Sequence, residues 1–121
     1  MYSISPDCQP FIQGFDRLKE AFNGSGGFHD NTLVKLNCLG CHTNDDALTS
    51  TYLSIEFETE DIKLRFDKVH GFSCSIPDVR SSFFFGIDFL VKDWCDYGKC
   101  IVMETDGDCI MIAAERITVI E

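Results

Sequence analysis

Residues 53–67, LSIEFETEDIKLRFD, decide the fold class of this 121-residue chain. Apolar residues recur at every second position on both sides of the central ETED: Leu53, Ile55, Phe57, Ile62, Leu64 and Phe66. A period of two gives each segment one apolar face and one polar face, which is typical of strands that cover a core on one side. The stretch therefore predicts an antiparallel hairpin, with Glu56 and Glu58 on the same outer face as Lys63 and Arg65.

Other segments with strand character flank this hairpin. We expect further strands at residues 34–38, 72–76, 82–92, 99–105, 109–114 and 117–120. His70-Gly71 is predicted to interrupt the chain, and Asp106-Gly107 has the residue types of a tight type I′ turn. Residues 82–92 are apolar on one face and partly apolar on the other, which favours a central strand.

The N-terminal part of the chain has a helical period instead. Apolar residues at helical spacing are Phe11, Phe15, Leu18 and Phe22. They predict an amphipathic helix over residues 10–23 that ends at the glycine-rich residues 24–27. The predicted fold is α+β and mainly β, a single domain over residues 1–121. Its N-terminal helix packs on an antiparallel sheet of about six to eight strands, which is curled or folded into a sandwich.

Charge and composition restrict the partners. The chain has 20 acidic and 10 basic residues and a net charge of −10, which repels phosphate backbones and anionic lipid. We expect no nucleic-acid partner and no membrane partner, whereas a basic protein is allowed. The N-terminus has no secretory signal pattern and no stretch is long enough to span a bilayer, so the expected location is the cytoplasm.

Residues 37–42, NCLGCH, contain the C-x-x-C-H pattern by which c-type cytochromes hold haem. We expect Leu39-Gly40 to form a turn at a strand end, with Cys38 in the core and His42 in solvent. Haem would need a further ligand from predicted strands (Met103, Met111 or His70), and zinc would need Cys74, Cys95 or Cys100. The prediction is that no cofactor or metal is bound, and that all seven cysteines are reduced and mostly buried.

Catalytic patterns are sparse. His29-Asp30 resembles an oriented general base, but nothing in the sequence places a nucleophile beside it. The chain has no glycine-rich phosphate loop and no G-x-S-x-G elbow. We therefore expect a protein that is not an enzyme.

Phe28-His29-Asp30 leads directly into a predicted strand, and the segments LSIEFET and IKLRFDKVHGF follow. This order resembles small bacterial immunity-type proteins, such as the immunity protein 50 family, in which a similar F-H-D precedes a β-meander. The resemblance implies a cytosolic protein that neutralises a cognate toxin by binding it. It assigns no toxin-contacting residue.

The predicted partner-binding residues are acidic and aromatic. Asp93, Trp94, Asp96 and Tyr97 place an aromatic pair between two carboxylates, a combination suited to a basic partner. Asp45 and Asp46 form a second acidic loop. The alternative is that Trp94 plugs one end of the core and the aspartates shape the turn. The alternative functions are a β-rich domain that binds a small ligand or acts as a structural subunit, or a metal or haem protein that uses the cysteine motif.

Overall fold

The computed structural model describes residues 3–29, 31–42, 51–75, 86–105 and 110–120. A 3₁₀ helix spans Pro6–Phe11 and the helix α1 spans Phe15–Gly24. The strands are β1 (Ile12–Gln13), β2 (Leu33–His42), β3 (Thr51–Thr59), β4 (Lys63–Cys74), β5 (Ile87–Trp94), β6 (Gly98–Thr105) and β7 (Ile110–Val119). The α+β, mainly β fold class predicted from the sequence is confirmed.

The seven strands that the structure describes form one open sheet, in which six of them follow the order β2-β3-β4-β7-β6-β5. Neighbours in this order are antiparallel, and the short β1 joins β7 in parallel. The strand number lies within the predicted range. A single sheet has two faces, and the residues below are assigned to a main-core face and a second face.

The β3–β4 hairpin confirms the prediction from residues 53–67. Glu58 lies opposite Lys63 and Glu56 opposite Arg65, and Lys63 Nζ is 3.7 Å from Glu58 Oε1. Glu56 also receives an ion pair from β2, since Lys35 Nζ lies 3.3 Å from its Oε1. The hydrogen bond and charge of Lys35 lower the pKa of Glu56.

The main core lies between α1 and one face of the sheet. The apolar residues of the hairpin that the sequence placed inward, Ile55, Phe57, Leu64 and Phe66, are fully buried. From α1, Leu18 is buried, while Phe15 and Phe22 pack at the margin of the core. The predicted helical face is therefore confirmed.

The predicted start of the helix at residue 10 is wrong. The chain instead forms the 3₁₀ helix and β1 before α1 begins at Phe15. Gly14 allows this change of direction, because it has a φ of +88° and a Cβ there would lie 2.9 Å from the Cβ of Val119. Pairing of Ile12 with Ile117 holds β1 against β7.

The prediction that residues 82–92 form a central strand is also wrong. β5 starts at Ile87 and ends the strand order, while β4 and β7 occupy the middle. Residues 82–85 lie outside the described residues. The apolar residues on the second face of β5, such as Leu90, belong to a smaller apolar cluster on that side of the sheet.

His70-Gly71 does not break the chain as predicted, because β4 continues through it to Cys74. The register with β7 shifts between Val69 and Gly71, and Lys68 has a φ of +55°. An irregularity of this kind re-aims side chains without ending a strand. The predicted separate strand over residues 117–120 is likewise wrong, since β7 runs from Ile110 to Val119. The predicted turn at Asp106-Gly107 lies outside the described residues, as does Ile76, the last residue of the predicted strand over residues 72–76.

Candidate partner-binding surface

The second face of the sheet carries a small apolar cluster around β6 and β7. Cys100, Val102 and Ala113 are fully buried there, and partly buried Leu90, Trp94 and Met111 pack against them. These residues alternate along their strands with residues of the main core, such as Ile101, Met103 and Ile112. The strands β6 and β7 are therefore apolar on both faces, as expected of strands in the interior of a sheet.

Trp94 is seated on this cluster at the end of β5. Its indole lies over Gly71 of β4, where a Cβ would overlap Trp94 Cζ2 and lie 2.9 Å from Cε2 and Cη2. Gly71 in turn lies opposite Ala113 of β7, another small residue. Small side chains on two central strands thus leave the space that the indole fills.

The turn between β5 and β6 places Tyr97 beside Trp94. Trp94 pairs with Gly98, so the turn consists of residues 95–97, and the Tyr97 backbone N–H donates to the Trp94 carbonyl at 3.1 Å. Cys95 has a φ of +49° and Gly98 one of +124°. These dihedral angles reverse the chain and bring Tyr97 back over β4.

Tyr97 stacks on His70 with ring centroids 4.0 Å apart and an interplanar angle of 28°. Although stacked, Tyr97 remains 47% exposed. His70 stands next to the irregularity in β4, which places its ring within reach of the turn. An exposed aromatic ring that is already held in one position is suited to binding, because little side-chain entropy remains to be lost.

Glu115 of β7 holds both rings. His70 Nε2 lies 2.9 Å from Glu115 Oε2, and the Tyr97 hydroxyl donates to the same carboxylate. Burial alone raises the pKa of Glu115, but the hydrogen bonds from His70 and Tyr97 outweigh it and the pKa is lowered. Burial, followed by the hydrogen bond to Glu115, raises the pKa of Tyr97. The tyrosine therefore remains a neutral donor at physiological pH.

Asp93 does not share a face with these rings, because it alternates with Trp94 along β5 and lies on the main-core face with Val91, whereas Trp94 lies on the second face. The Asp93 side chain is 81% exposed and lies 3.2 Å from Lys99 Nζ, so its charge is partly compensated. Asp96 is exposed in the turn. Asp45 and Asp46 lie outside the described residues. Asp93, Trp94, Asp96 and Tyr97 all lie at one end of the β5–β6 hairpin, but Asp93 is on the opposite face from Trp94.

The Phe28-His29-Asp30 motif lies elsewhere, between α1 and β2. Phe28 is fully buried with a φ of +62°, and its N–H donates to Ser25 Oγ at 2.9 Å. Its ring meets that of Phe22 edge to face, with centroids 5.8 Å apart. Phe28 therefore stabilises the chain reversal after the helix. His29 is exposed, and Asp30 lies outside the described residues.

The predicted conformation of the NCLGCH motif is wrong. β2 continues through Leu39-Gly40 to His42, so no turn forms there. Cys38 is exposed rather than packed in the core, because β2 is the last strand of the sheet and is less covered than its neighbour β3. Of Cys41 and His42, the structure describes only the backbone.

The prediction that most cysteines are buried is also wrong for those whose side chains are described. Cys8 and Cys100 are buried, whereas Cys38, Cys74 and Cys95 are exposed, and all five are free thiols. Within the described ranges, no group of three or more His, Cys, Asp or Glu side chains is arranged to hold a metal ion.

Sequence reasoning missed three contributors to the surface. The sequence suggests His70 as a haem ligand and His70-Gly71 as an interruption of the chain, and it assigns no role to Glu115. These residues lie on β4 and β7, between 18 and 27 positions from Tyr97 along the chain. No local pattern links them, because the connection depends on strand order. A histidine next to a glycine inside a strand pattern is the one signal of an irregularity that could have drawn attention to β4.

Comparisons of the chain with protein-family models, curated proteins and solved structures found no match. Among the helices that the structure describes, none has the length and apolarity needed to cross a bilayer.

Proposed function

We propose that this protein is a non-enzymatic binding protein of the immunity type, which neutralises a cognate toxin by direct binding. The immunity class rests on the resemblance of residues 28–30 and the following β-meander to that kind of protein. The binding role has independent structural support. It comes from the arrangement of Tyr97, His70, Trp94 and Glu115 on the second face of the sheet.

The observation that carries the proposal is the pre-ordered, exposed ring of Tyr97. One side of the ring stacks on His70, its hydroxyl is held by Glu115, and the neighbouring Trp94 is fixed over Gly71. Tyrosine and tryptophan are enriched among residues that dominate binding energies, especially where their surroundings are rigid. We therefore assign Tyr97 as the central contact and Trp94 as its support.

The proposed partner is basic. The exposed Asp96 lies in the turn next to Tyr97, and the whole chain has a net charge of −10. Long-range attraction between a negative protein and a positive one raises the rate of encounter, and complementary charges at the rim select the orientation. Nucleases are commonly basic because they bind the negatively charged phosphate backbone, so they are suitable toxin partners.

The proposed location is the cytoplasm. Its support is chemical, because three exposed free cysteines, Cys38, Cys74 and Cys95, are best preserved as thiols in a reducing compartment. An immunity protein that meets its toxin inside the producing cell belongs in the same place.

The decisive experiment is co-expression with a toxin encoded beside the gene, read out as growth and as the affinity of the purified complex. We expect wild-type protein to rescue growth. Tyr97→Ala should weaken binding by about 2 kcal/mol or more, which is roughly thirtyfold in Kd, as for other central aromatic contacts.

A matched control is Phe72→Ala. Phe72 is a partly exposed aromatic residue of the same sheet, but it lies opposite Ile112 of the main core and therefore belongs to the other face. This variant should keep full affinity if it is folded. Equal binding by folded Tyr97→Ala would refute the assigned surface. If no toxin is encoded nearby and none is neutralised, the immunity proposal fails.

A second candidate function is binding of a small ligand. An open cavity of about 540 Å³ lies beside the 3₁₀ helix, with Pro10, Phe11 and Val91 as apolar walls and Asp7 and Lys99 at its margin. Mixed apolar and charged walls are common in ligand sites. A thermal-shift screen of metabolites would favour this alternative if one compound stabilised the protein and Val91→Trp removed the effect.

A further inference from the structure

The two outer edges of the sheet differ in how they are covered. On the β5 side, residues 3–5 run beside the strand: Ser5 N–H donates to the Phe89 carbonyl at 2.9 Å, and Phe89 N–H donates to the Ser3 carbonyl at 3.0 Å. Ile4 forms a bridge with Phe89. This edge is therefore partly closed by the chain's own N-terminal segment.

The β2 edge has no equivalent cover among the residues that the structure describes. β2 pairs with β3 on one side and ends the strand order on the other. An edge strand of ten residues presents a long row of unpaired backbone groups, and such edges readily pair with another chain. Proteins usually block them with proline, bulges or several charges.

The sequence of β2 contains little of this protection. Residues 31–42 include no proline, no acidic residue and a single lysine, Lys35, which is already paired with Glu56 of β3. The only register irregularity lies at its start, between Leu33 and Lys35. Val34 is 57% exposed and Leu39 is 47% exposed, so the strand also presents apolar surface.

The absence of acidic residues is notable in a chain with a net charge of −10. Two copies of such a chain repel each other over most of their surface. The β2 edge adds nothing to this repulsion from its own side chains, because residues 31–42 include no acidic residue.

We propose that two copies of this chain associate through their β2 strands, in an antiparallel pair that extends the sheet across a two-fold axis. Antiparallel pairing of identical strands is self-complementary, since each backbone donor of one copy meets an acceptor of the other by symmetry. The partner is a second copy because this edge carries no carboxylate, so two chains of net charge −10 can meet there without opposed acidic side chains. A two-fold axis at Leu36 or Asn37 centres the pairing on the strand, and with the axis at Leu36 the Leu39 side chain of each copy lies opposite Leu33 of the other.

In the same arrangement, the Lys35 side chains of the two copies do not lie directly opposite each other. With the axis at Asn37, Lys35 of one copy lies opposite Leu39 of the other, and with the axis at Leu36 it lies opposite Asn37. The two lysines are therefore never directly opposed, and opposed like charges would destabilise the pair. This proposal is independent of the toxin-binding surface, which lies at the other end of the strand order.

Sedimentation velocity over a concentration series tests the proposal with the whole chain. We expect wild type to reach twice the monomer mass of 13.7 kDa as concentration rises. Leu39→Asp adds a negative charge to the acid-free edge of both copies and should weaken dimerisation at least about tenfold in Kd. Gln9→Glu adds the same charge at an exposed position of the 3₁₀ helix and should leave the dimer intact.

Cysteine reactivity gives a second readout inside the same molecule. Cys38 lies on β2, whereas the exposed Cys74 and Cys95 lie on β4 and in the β5–β6 turn. Alkylation mapped by mass spectrometry should be slower at Cys38 in concentrated samples than in dilute ones, with no change at Cys74 or Cys95. In Leu39→Asp, Cys38 should react at the dilute rate at every concentration.

Circular dichroism verifies folding, and Val34→Asp replaces Leu39→Asp if that variant unfolds. A wild type that stays monomeric across the series would overturn the proposal. So would a dimer that persists in both folded edge variants, because it would use another surface. Tyr97→Ala should not change the dimer, which separates this result from the toxin-binding test.

Discussion

At the scale of single residues, Gly71 determines where Trp94 can lie. Any side chain at Gly71 would occupy the space of the indole, because a Cβ there overlaps Trp94 Cζ2. Trp94 is the only tryptophan in the chain, so its fluorescence reports on this contact alone.

We expect Gly71→Ala to displace the indole and lower the free energy of unfolding by about 1–3 kcal/mol, as for other overpacked sites. The measurements are urea denaturation and the emission maximum of Trp94, which should shift towards that of exposed tryptophan. Gly24→Ala is the control, since nothing lies within 4 Å of a Cβ at the end of α1. If Gly71→Ala has wild-type stability and emission, Trp94 is not held by this packing.

Glu115 gives the surface a defined pH dependence. Its pKa is lowered from the ordinary value of 4.5, so the folded state binds the proton less readily than the unfolded chain. The interaction therefore contributes its full stability above pH 4.5 and loses it as pH falls through that value towards the folded pKa.

Glu115→Gln should consequently be less stable than wild type at neutral pH, with the difference narrowing below about pH 4.5. Thermal unfolding across a pH series measures this difference. Glu20→Gln, at an exposed position of α1, should show no comparable trend. A difference between Glu115→Gln and wild type that is constant with pH would contradict the assigned role of the carboxylate.

The five cysteines whose side chains the structure describes separate into two classes by their surroundings. Burial raises the pKa of Cys8 to about 11, and burial also raises the pKa of Cys100. Since the thiolate is the reactive form, both should react with iodoacetamide only when the protein unfolds, whereas exposed Cys74 and Cys95 should react in the native state. Peptide mapping after timed alkylation distinguishes the classes. Rapid native labelling of Cys8 or Cys100 would show that the N-terminal segment or the second-face cluster opens readily.

At the scale of elements, a buried polar cluster attaches the start of β2 to the β3–β4 turn. The amide of Asn31 accepts from Thr59 Oγ1 at 2.7 Å and donates to Asp61 Oδ2 at 2.8 Å. Nearby, Thr32 N–H donates to Glu60 Oε1 at 2.7 Å. Asn31 and Thr59 are almost fully buried, so their hydrogen bonds are protected from water.

We expect Asn31→Ala to destabilise the fold by about 1–3 kcal/mol, because Thr59 and Asp61 lose a buried partner. Asn23→Ala, at an exposed position on α1, should change stability far less. Chemical denaturation of both variants gives the comparison. Hydrogen exchange should also show faster opening of β2 than of β7 in Asn31→Ala. Equal stability of the two variants would mean that the hydrogen bonds of Asn31 do not stabilise the fold.

At the scale of the whole molecule, the net charge of −10 should speed the encounter with the proposed basic partner. Exposed charges are screened beyond about 8 Å at 0.15 M ionic strength, so the association rate with the proposed toxin partner should fall markedly between low and physiological salt. Stopped-flow kinetics measure it. Asp96→Asn should flatten the salt dependence more than a matched loss of charge at Asp16 on α1. An association rate independent of salt would exclude electrostatic steering.

Features that depend on neighbours along the chain could be predicted from the amino-acid pattern. The alternation around ETED predicted the β3–β4 hairpin and its facing charges, and the helical spacing of Phe15, Leu18 and Phe22 predicted the buried side of α1. Both succeed because strand and helix periods are local properties that decide which side of an element is apolar. The aromatic residues of the β5–β6 turn were found in the same way, as a short acidic and aromatic segment.

The order of the strands, and which edge of the sheet is covered among the described residues, depend on long-range packing. β5 has the composition of an interior strand but ends the strand order. Its apolar residues are still covered, because residues 3–5 run along its outer edge and the second-face cluster packs against one of its faces. Cys38 alternates like a core residue but is exposed on the edge strand β2. Tyr97 meets His70 and Glu115 only because β4 and β7 lie side by side. Strand order depends on the sum of long-range packing over the whole sheet, and no local pattern encodes that sum.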